Sequence, residues 1–228
     1  MTLPAAFPAS LKNKLIVSVQ AFPGDPLDHT ETLRRIALSV LSAGAGGLRA
    51  NGPEHIAAFR TATSLPIIGI LKHFRQGQPL ITPDFASARS VALAGADVIG
   101  VDCSSNRPTT LGPWPEMVHR IASELHTPVL ADIATLPEAL AAEQAGAAAV
   151  ATTMYGYTPE TAGRRSVDWE LVAQLVKSLR IPVIVEGHLR SPEDVRKALD
   201  LGAFAVVVGA AITQPGWITT RFLEAIKN

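Results

Sequence analysis

A lysine and a glutamate each close a short apolar run, in Pro66-Ile-Ile-Gly-Ile-Leu-Lys72 and in Pro182-Val-Ile-Val-Glu186-Gly187. Apolar surroundings strip water from a lysine ammonium, and a nearby cation such as Arg49 adds repulsion; both lower its pKa. A neutral amine abstracts a carbon-bound proton or forms a Schiff base, whereas a charged one holds a phosphate or carboxylate. Residue type alone leaves these roles open, as it does for Glu186, an acid, a base or a hydroxyl-binding carboxylate. A third run, Ala203-Phe-Ala-Val-Val-Val-Gly209-Ala210, finishes in small residues. Together with Gly187-His188 it offers backbone N–H groups for an anion, as sugar-phosphate barrels do. An amine, an acid and an anion cradle at strand ends point to sugar-phosphate chemistry.

Positioning such groups requires strands that all empty onto one face. Eight strand-like runs are legible: Leu15–Gln20, Gly47–Asn51, Pro66–Lys72, Asp97–Cys103, Pro128–Ile133, Ala148–Thr153, Pro182–Gly187 and Ala203–Ala211. They are short, continuous and β-branched, as in parallel strands buried on both faces. Helical stretches alternate with them at Glu31–Ser42, Phe85–Ala94, Pro137–Ala145, Trp169–Leu179 and Pro192–Leu201. Thr135 three residues before Glu138, and proline after Ser191, are helix-start signals. The helix-to-strand junctions alternate between glycine (Gly44, Gly95, Gly146, Gly202) and proline (Pro66, Pro128, Pro182), a two-unit period. Repeated right-handed βα units over 228 residues predict a (β/α)8 TIM barrel, one domain spanning residues 1–228. A doubly wound dinucleotide fold would carry Gly-x-Gly-x-x-Gly after its first strand, and none stands there.

In such a barrel the strand ends carry function. In order they are Gln20, Arg49, Lys72, Asp102, Asp132, Thr152 with Thr153, Glu186 and Gly209, a polar ring of both charge signs. Taken singly, Arg49 or Asp132 is equally half of a buried ion pair; the ring as a set favours a site. The six histidines (29, 55, 73, 119, 126, 188) are scattered without ligand spacing, so no metal is expected. Cys103, the single cysteine, reads as a buried inert thiol, and the three tryptophans read as packing residues.

Twenty basic and twenty acidic residues balance, and no basic block offers a nucleic-acid footprint. No segment approaches the roughly 18 consecutive apolar residues of a membrane helix. The proline-interrupted start, Met1-Thr-Leu-Pro-Ala-Ala-Phe-Pro, does not read as a signal peptide. With one cysteine, these features lead to the expectation of a cytoplasmic protein. The apolar C-terminal stretch Ile218–Ile226 suits packing on the barrel or a homodimer interface equally.

The chain resembles the N-acylmannosamine-6-phosphate 2-epimerases of bacterial sialic-acid breakdown, essentially end to end. The likeness is carried by Val17-Ser-Val-Gln20 with Pro26-Leu27, Leu48-Arg49-Ala50-Asn51, Pro66 to Lys72, and Ile81-Thr82-Pro83. It continues through Ala94-Gly-Ala-Asp-Val-Ile, Arg107-Pro108, Ala131-Asp132, Thr152-Thr153 with Gly156-Tyr157-Thr158, Glu186-Gly187, and Val208-Gly209 with Ala211-Ile212-Thr213. The resemblance implies a TIM barrel that interconverts N-acetylmannosamine 6-phosphate and N-acetylglucosamine 6-phosphate without a cofactor. It implies Lys72 as the base at carbon 2 and Glu186 as its acidic partner. Gln20, Arg49 and Asp132 match positions that hold the sugar and its N-acyl group. Thr153, Tyr157, Gly187, His188, Gly209 and Ala210 complete the expected substrate-binding set.

Three positions depart from the family pattern. His188 and Gln214 stand where the family usually has arginine, and Tyr155 where it commonly has serine. Two charge-assisted contacts expected near a phosphate are thereby missing; Arg190 or His188 is the candidate replacement, and an altered substrate is the alternative. The competing readings are a Schiff-base aldolase or lyase acting on a sugar phosphate through Lys72, and a non-catalytic sugar-phosphate-binding barrel.

Overall fold

The computed structural model describes residues 6–75 and 78–226; the first five residues of the N-terminal stretch lie outside the described residues. Eight strands form a closed barrel: β1 (Leu15–Val19), β2 (Gly47–Asn51), β3 (Ile67–Ile70), β6 (Val98–Asp102), β7 (Val129–Asp132), β8 (Ala149–Ala151), β9 (Val183–Glu186) and β10 (Ala205–Val208). The order around the ring is β1-β10-β9-β8-β7-β6-β3-β2, with every neighbouring pair parallel. A hairpin of β4 (Lys72–Arg75) and β5 (Gln78–Ile81) stands outside the ring. This is the (β/α)8 architecture read from the sequence.

The period of two along each strand divides the core in two. Ile16, Ile68, Val98, Leu130, Ile184, Ala205 and Val207 fill the barrel interior, closed below by Phe7 and Leu11. Their alternates, such as Val17, Leu48, Ile67, Ile99, Val129 and Val183, face outward onto the helices. Burial of both faces accounts for the unbroken apolar runs.

Helices α1 (Thr30–Ser42), α3 (Phe85–Leu93), α5 (Leu136–Gln144), α6 (Trp169–Ser178) and α7 (Pro192–Asp200) lie within a residue of expectation at either end. Thr135 and Ser191 form capping boxes with Glu138 and Asp194. The glycine junctions have a backbone reason: Gly44, Gly95, Gly146 and Gly202 have φ of 100°, 99°, 90° and 94°, each just past a helix end. Helices α2 (Pro53–Arg60) and α4 (Trp114–Arg120) went unread in the sequence, though proline in the first turn marks both. Two one-turn or C-terminal elements follow β10, α8 (Ala210–Thr213) and α9 (Pro215–Ile226).

The sequence-based boundaries fail at three functional strand ends. β3 stops at Ile70, and Lys72 opens the β4 hairpin instead of closing a barrel strand. β8 stops at Ala151, after which Thr152–Met154 turn as a 3-10 helix. β10 stops at Val208, and Ala210 begins α8. No residue of α9 is buried, and Phe222, Leu223 and Ile226 are exposed. No described helix is long and apolar enough to cross a membrane.

Candidate active site

The inward face changes character toward the C-terminal ends of the strands. One step above the apolar layer stand Arg49 on β2, Asp132 on β7 and Glu186 on β9, three strands that are not neighbours. Arg49 is 1% exposed and Asp132 is fully buried. The guanidinium grips Asp132 with both forks, Nη1 to Oδ1 at 2.9 Å and Nη2 to Oδ2 at 2.7 Å. Its Nη1 also donates to Glu186 Oε2 and, at 3.3 Å, to Thr153 Oγ1. Thr153 in turn donates to Asp132. Burial alone would lower the Arg49 pKa, but Asp132 and Glu186 outweigh it and hold the group firmly charged. Arg49 and Asp132 are therefore both the buried ion pair and part of the site.

Room for this cluster comes from Gly100 on β6. A Cβ there would lie 2.6 Å from Ile70 Cγ2 and 3.3 Å from both Arg49 Nη2 and Asp132 Oδ2. Thr152, beside Thr153, braces Glu186 from behind: its Oγ1 donates to the Glu186 carbonyl at 2.8 Å and accepts from the Glu186 N–H at 3.0 Å.

Lys72 reaches the same space from outside the ring. Asn51 Oδ1 accepts the Lys72 backbone N–H at 2.8 Å, and Thr82 bonds Leu71 in both directions to fix the hairpin's exit. β3 and β9 are four strands apart either way around the ring, so Lys72 and Glu186 emerge on opposite sides of it. Burial first, and then the Arg49 cation, bring the Lys72 ammonium down from 10.5 to about 8, against the opposing pull of Glu186 and Asp132. Burial pushes the Glu186 pKa up despite Arg49. The Lys72 Nζ lies 5.4 Å from the centre of the Phe22 ring, which meets Phe74 edge to face.

A cavity of about 480 Å³ opens above this cluster. Of the expected residues, Gln20, Lys72, Thr153, Tyr157, Glu186, Gly187, His188, Gly209 and Ala210 line it, while Arg49 and Asp132 form its buried underside. Asp102, a member of the polar ring, does not line it. Burial raises the Asp102 carboxyl to about 6, and its Oδ1 accepts from the backbone and hydroxyl of Ser104. Cys103 is buried, as expected of an inert thiol.

Sequence reading missed Ser18, Phe22, Asn106, Arg165 and Trp217, which line the cavity together with Arg190, the arginine expected to stand in for a missing phosphate contact. Ser18 was legible in principle: it sits two residues before Gln20 on the inward face, and Gln20 Nε2 donates to its Oγ at 2.7 Å. The others stand on loops or on α9, where no periodicity signals direction.

Residues 33–228 match the NanE family model, described as "Putative N-acetylmannosamine-6-phosphate epimerase". A protein of Cutibacterium acnes named as a putative N-acetylmannosamine-6-phosphate 2-epimerase is 40% identical over 221 residues, 96% of each chain. One of the same name from Thermosynechococcus vestitus is 42% identical over 95% of each. The solved N-acetylmannosamine-6-phosphate 2-epimerase of Clostridium perfringens superposes with a TM-score of 0.89 at 37% identity, covering 95% of this chain and 94% of that one. With near-complete coverage and shared architecture, the chain belongs to the NanE family of N-acetylmannosamine-6-phosphate epimerases.

Proposed function

We propose that this protein interconverts N-acetylmannosamine 6-phosphate and N-acetylglucosamine 6-phosphate by taking and returning the proton on carbon 2. The observation that carries this reading is Lys72. It is an amine brought to about 8 by burial and by Arg49, at a cavity whose opposite side presents Glu186. Carbon 2 of the open-chain sugar lies next to the aldehyde, which makes its proton acidic. Lys72 Nζ takes that proton, and the C–H electrons form the C1–C2 double bond of an enolate with charge on the carbonyl oxygen. Return of a proton to the other face inverts the centre.

The remaining groups serve that charge shift. Arg49 places a fixed cation beneath the cavity, in a site with little water to reorganise, which is where electrostatic stabilisation of an oxyanion is strongest. Glu186, with its pKa pushed up, is the proton-carrying partner across the barrel. Gln20 and Thr153 supply neutral hydrogen bonds to the sugar, and Gly187, Gly209 and Ala210 let the backbone approach the phosphate end. The chain acts in this reading as one domain of 228 residues.

Proton NMR with N-acetylmannosamine 6-phosphate in deuterated water tests the proposal. Appearance of the gluco epimer with deuterium at carbon 2, lost in Lys72→Ala, is the expected result. Absence of both conversion and exchange in the wild-type protein refutes it. Borohydride treatment in the presence of the sugar phosphate separates the Schiff-base reading, since only a lyase or aldolase would be trapped as a stable adduct on Lys72.

A further inference from the structure

The charge at the active centre does not suit the phosphate of the proposed substrate. Asp132 and Glu186 balance Arg49 and Lys72, and a phosphate monoester brings about −1.5 to −2 more. The strand ends after β8, β9 and β10 therefore have to supply cation, and neither His188 nor Gln214 does. His188 Nε2 donates to the Tyr155 carbonyl at 3.0 Å, so the neutral ring turns only the acceptor Nδ1 elsewhere. Burial, reinforced by Arg190 and Arg165, holds its pKa below the ordinary value and favours that neutral form.

Two guanidinium groups do line the cavity there, Arg165 from the loop after β8 and Arg190 from the loop after β9. Among the described residues neither has a carboxylate within 4 Å, unlike Arg164 nearby, which pairs with Asp168. Arg165 uses Nη1 on the carbonyls of Gly156 and Arg164, at 3.1 and 3.2 Å; its Nη2 and Nε make no hydrogen bond among the described residues.

The surroundings of Arg165 are built to hold it. Tyr157 stacks on His188 with ring centres 5.8 Å apart and planes 12° from parallel, and Arg165 sits 5.8 Å from the Tyr157 ring. His188 is held at φ 59°, a left-handed conformation that disfavours any residue with a Cβ. Gly156 lets the chain pass: a Cβ there would meet the Arg164 carbonyl at 2.4 Å and His188 Nε2 at 2.9 Å. Arg190 Nη2 closes the assembly by donating to the Arg165 carbonyl at 2.7 Å.

We propose that Arg165, aimed by the Tyr157–His188 stack and assisted by Arg190, is the guanidinium that binds the substrate phosphate in this chain. His188 is on this account a positioning residue that contacts no phosphate oxygen. The assignment rests on the sugar-phosphate reading above and adds to it the residue that selects for the phosphate.

Calorimetric titration of the full chain with inorganic phosphate tests it without reference to catalysis. Loss of one charge-assisted contact predicts that Arg165→Met weakens binding about tenfold to a hundredfold. Arg165→Lys should recover part of the loss, since it restores charge but not the planar fork. Tyr157→Ala should weaken binding and Tyr157→Phe should not, because only the ring is used. With the sugar phosphate, Arg165→Met should raise KM by a similar factor and change kcat far less. A wild-type protein that binds no phosphate, an unchanged constant in Arg165→Met, or a loss confined to Arg190→Met each overturns the assignment. Phosphate binding without exchange at carbon 2 would instead refute the epimerase reading and leave this site standing.

Discussion

Raising the pH across the Lys72 transition is the perturbation that most directly tests the site. An ordinary lysine at 10.5 is about 0.03% free amine at pH 7, and one at about 8 is about a tenth free amine, a gain of about 300-fold in available base. The kcat/KM for exchange at carbon 2 should rise about tenfold per pH unit below 7.5 and level off above about 8.5. The same shift carries a stability signature that needs no substrate. Between pH 8 and 10.5 the unfolded chain keeps a proton on Lys72 that the folded chain has lost, so the folded state gains stability as pH rises through that window. The full difference amounts to at most about 3 kcal/mol, and water in the cavity reduces it. Below pH 8 the lysine is protonated in both states, and the cost of burying its charge is carried in full. Urea denaturation at pH 7.5, 9 and 10.5 should therefore show the wild type gaining on Lys72→Met, in which that titration is absent. Parallel stability profiles for the two proteins, or a rate still climbing tenfold per unit at pH 10, would refute a lowered lysine pKa.

Three substitutions probe the framework around it. Gly100→Ala drives a methyl into Ile70 and against the Arg49–Asp132 pair, and should cost about 1–3 kcal/mol in urea denaturation while reducing kcat. Asp132→Asn removes a charge from a buried bidentate pair and should destabilise by about 3–5 kcal/mol, read from the same denaturation curves. Thr152→Val leaves the Glu186 backbone without the hydroxyl that bridges it; the expected cost is about 1–3 kcal/mol, with kcat falling more than KM in steady-state assays.

Much of this was readable in the residues because the barrel's constraints are local. A strand buried on both faces must be apolar throughout, and a helix that turns back into a strand needs a residue comfortable at positive φ, so the runs and the glycine junctions announce themselves. The polar strand ends follow by elimination, which is how Arg49, Asp132 and Glu186 stand out before any coordinates. Lys72 follows the β3 run in sequence but belongs to a hairpin, and the chain leaves the barrel one residue earlier. Nothing local marks that exit, because Asn51 and Thr82, which enforce it, are distant in sequence. The loop residues were less accessible still. Arg164 and Arg165 are adjacent in sequence and of one type, yet Arg164 pairs with Asp168 and Arg165 lines the cavity. That difference is made by contacts with Gly156, Tyr157 and Arg190.

Charge placement explains why the two ends of the cavity are constructed differently. At the reacting end a cation must neither repel Lys72 so strongly that the amine never holds a proton, nor be free to swing onto the phosphate. Bidentate pairing with Asp132 and a further bond to Glu186 fix Arg49 in place and screen part of its field, which leaves Lys72 at about 8 instead of lower. At the other end the requirement is opposite, because the phosphate needs donors that are not already satisfied. There the guanidinium groups of Arg165 and Arg190 are without carboxylate partners among the described residues, and carbonyl oxygens and an aromatic ring orient them instead. A carboxylate in that position would compete directly with the phosphate, while a carbonyl fixes the guanidinium without neutralising it. The same side chain is thus held by anions where it must stay and by neutral groups where it must bind.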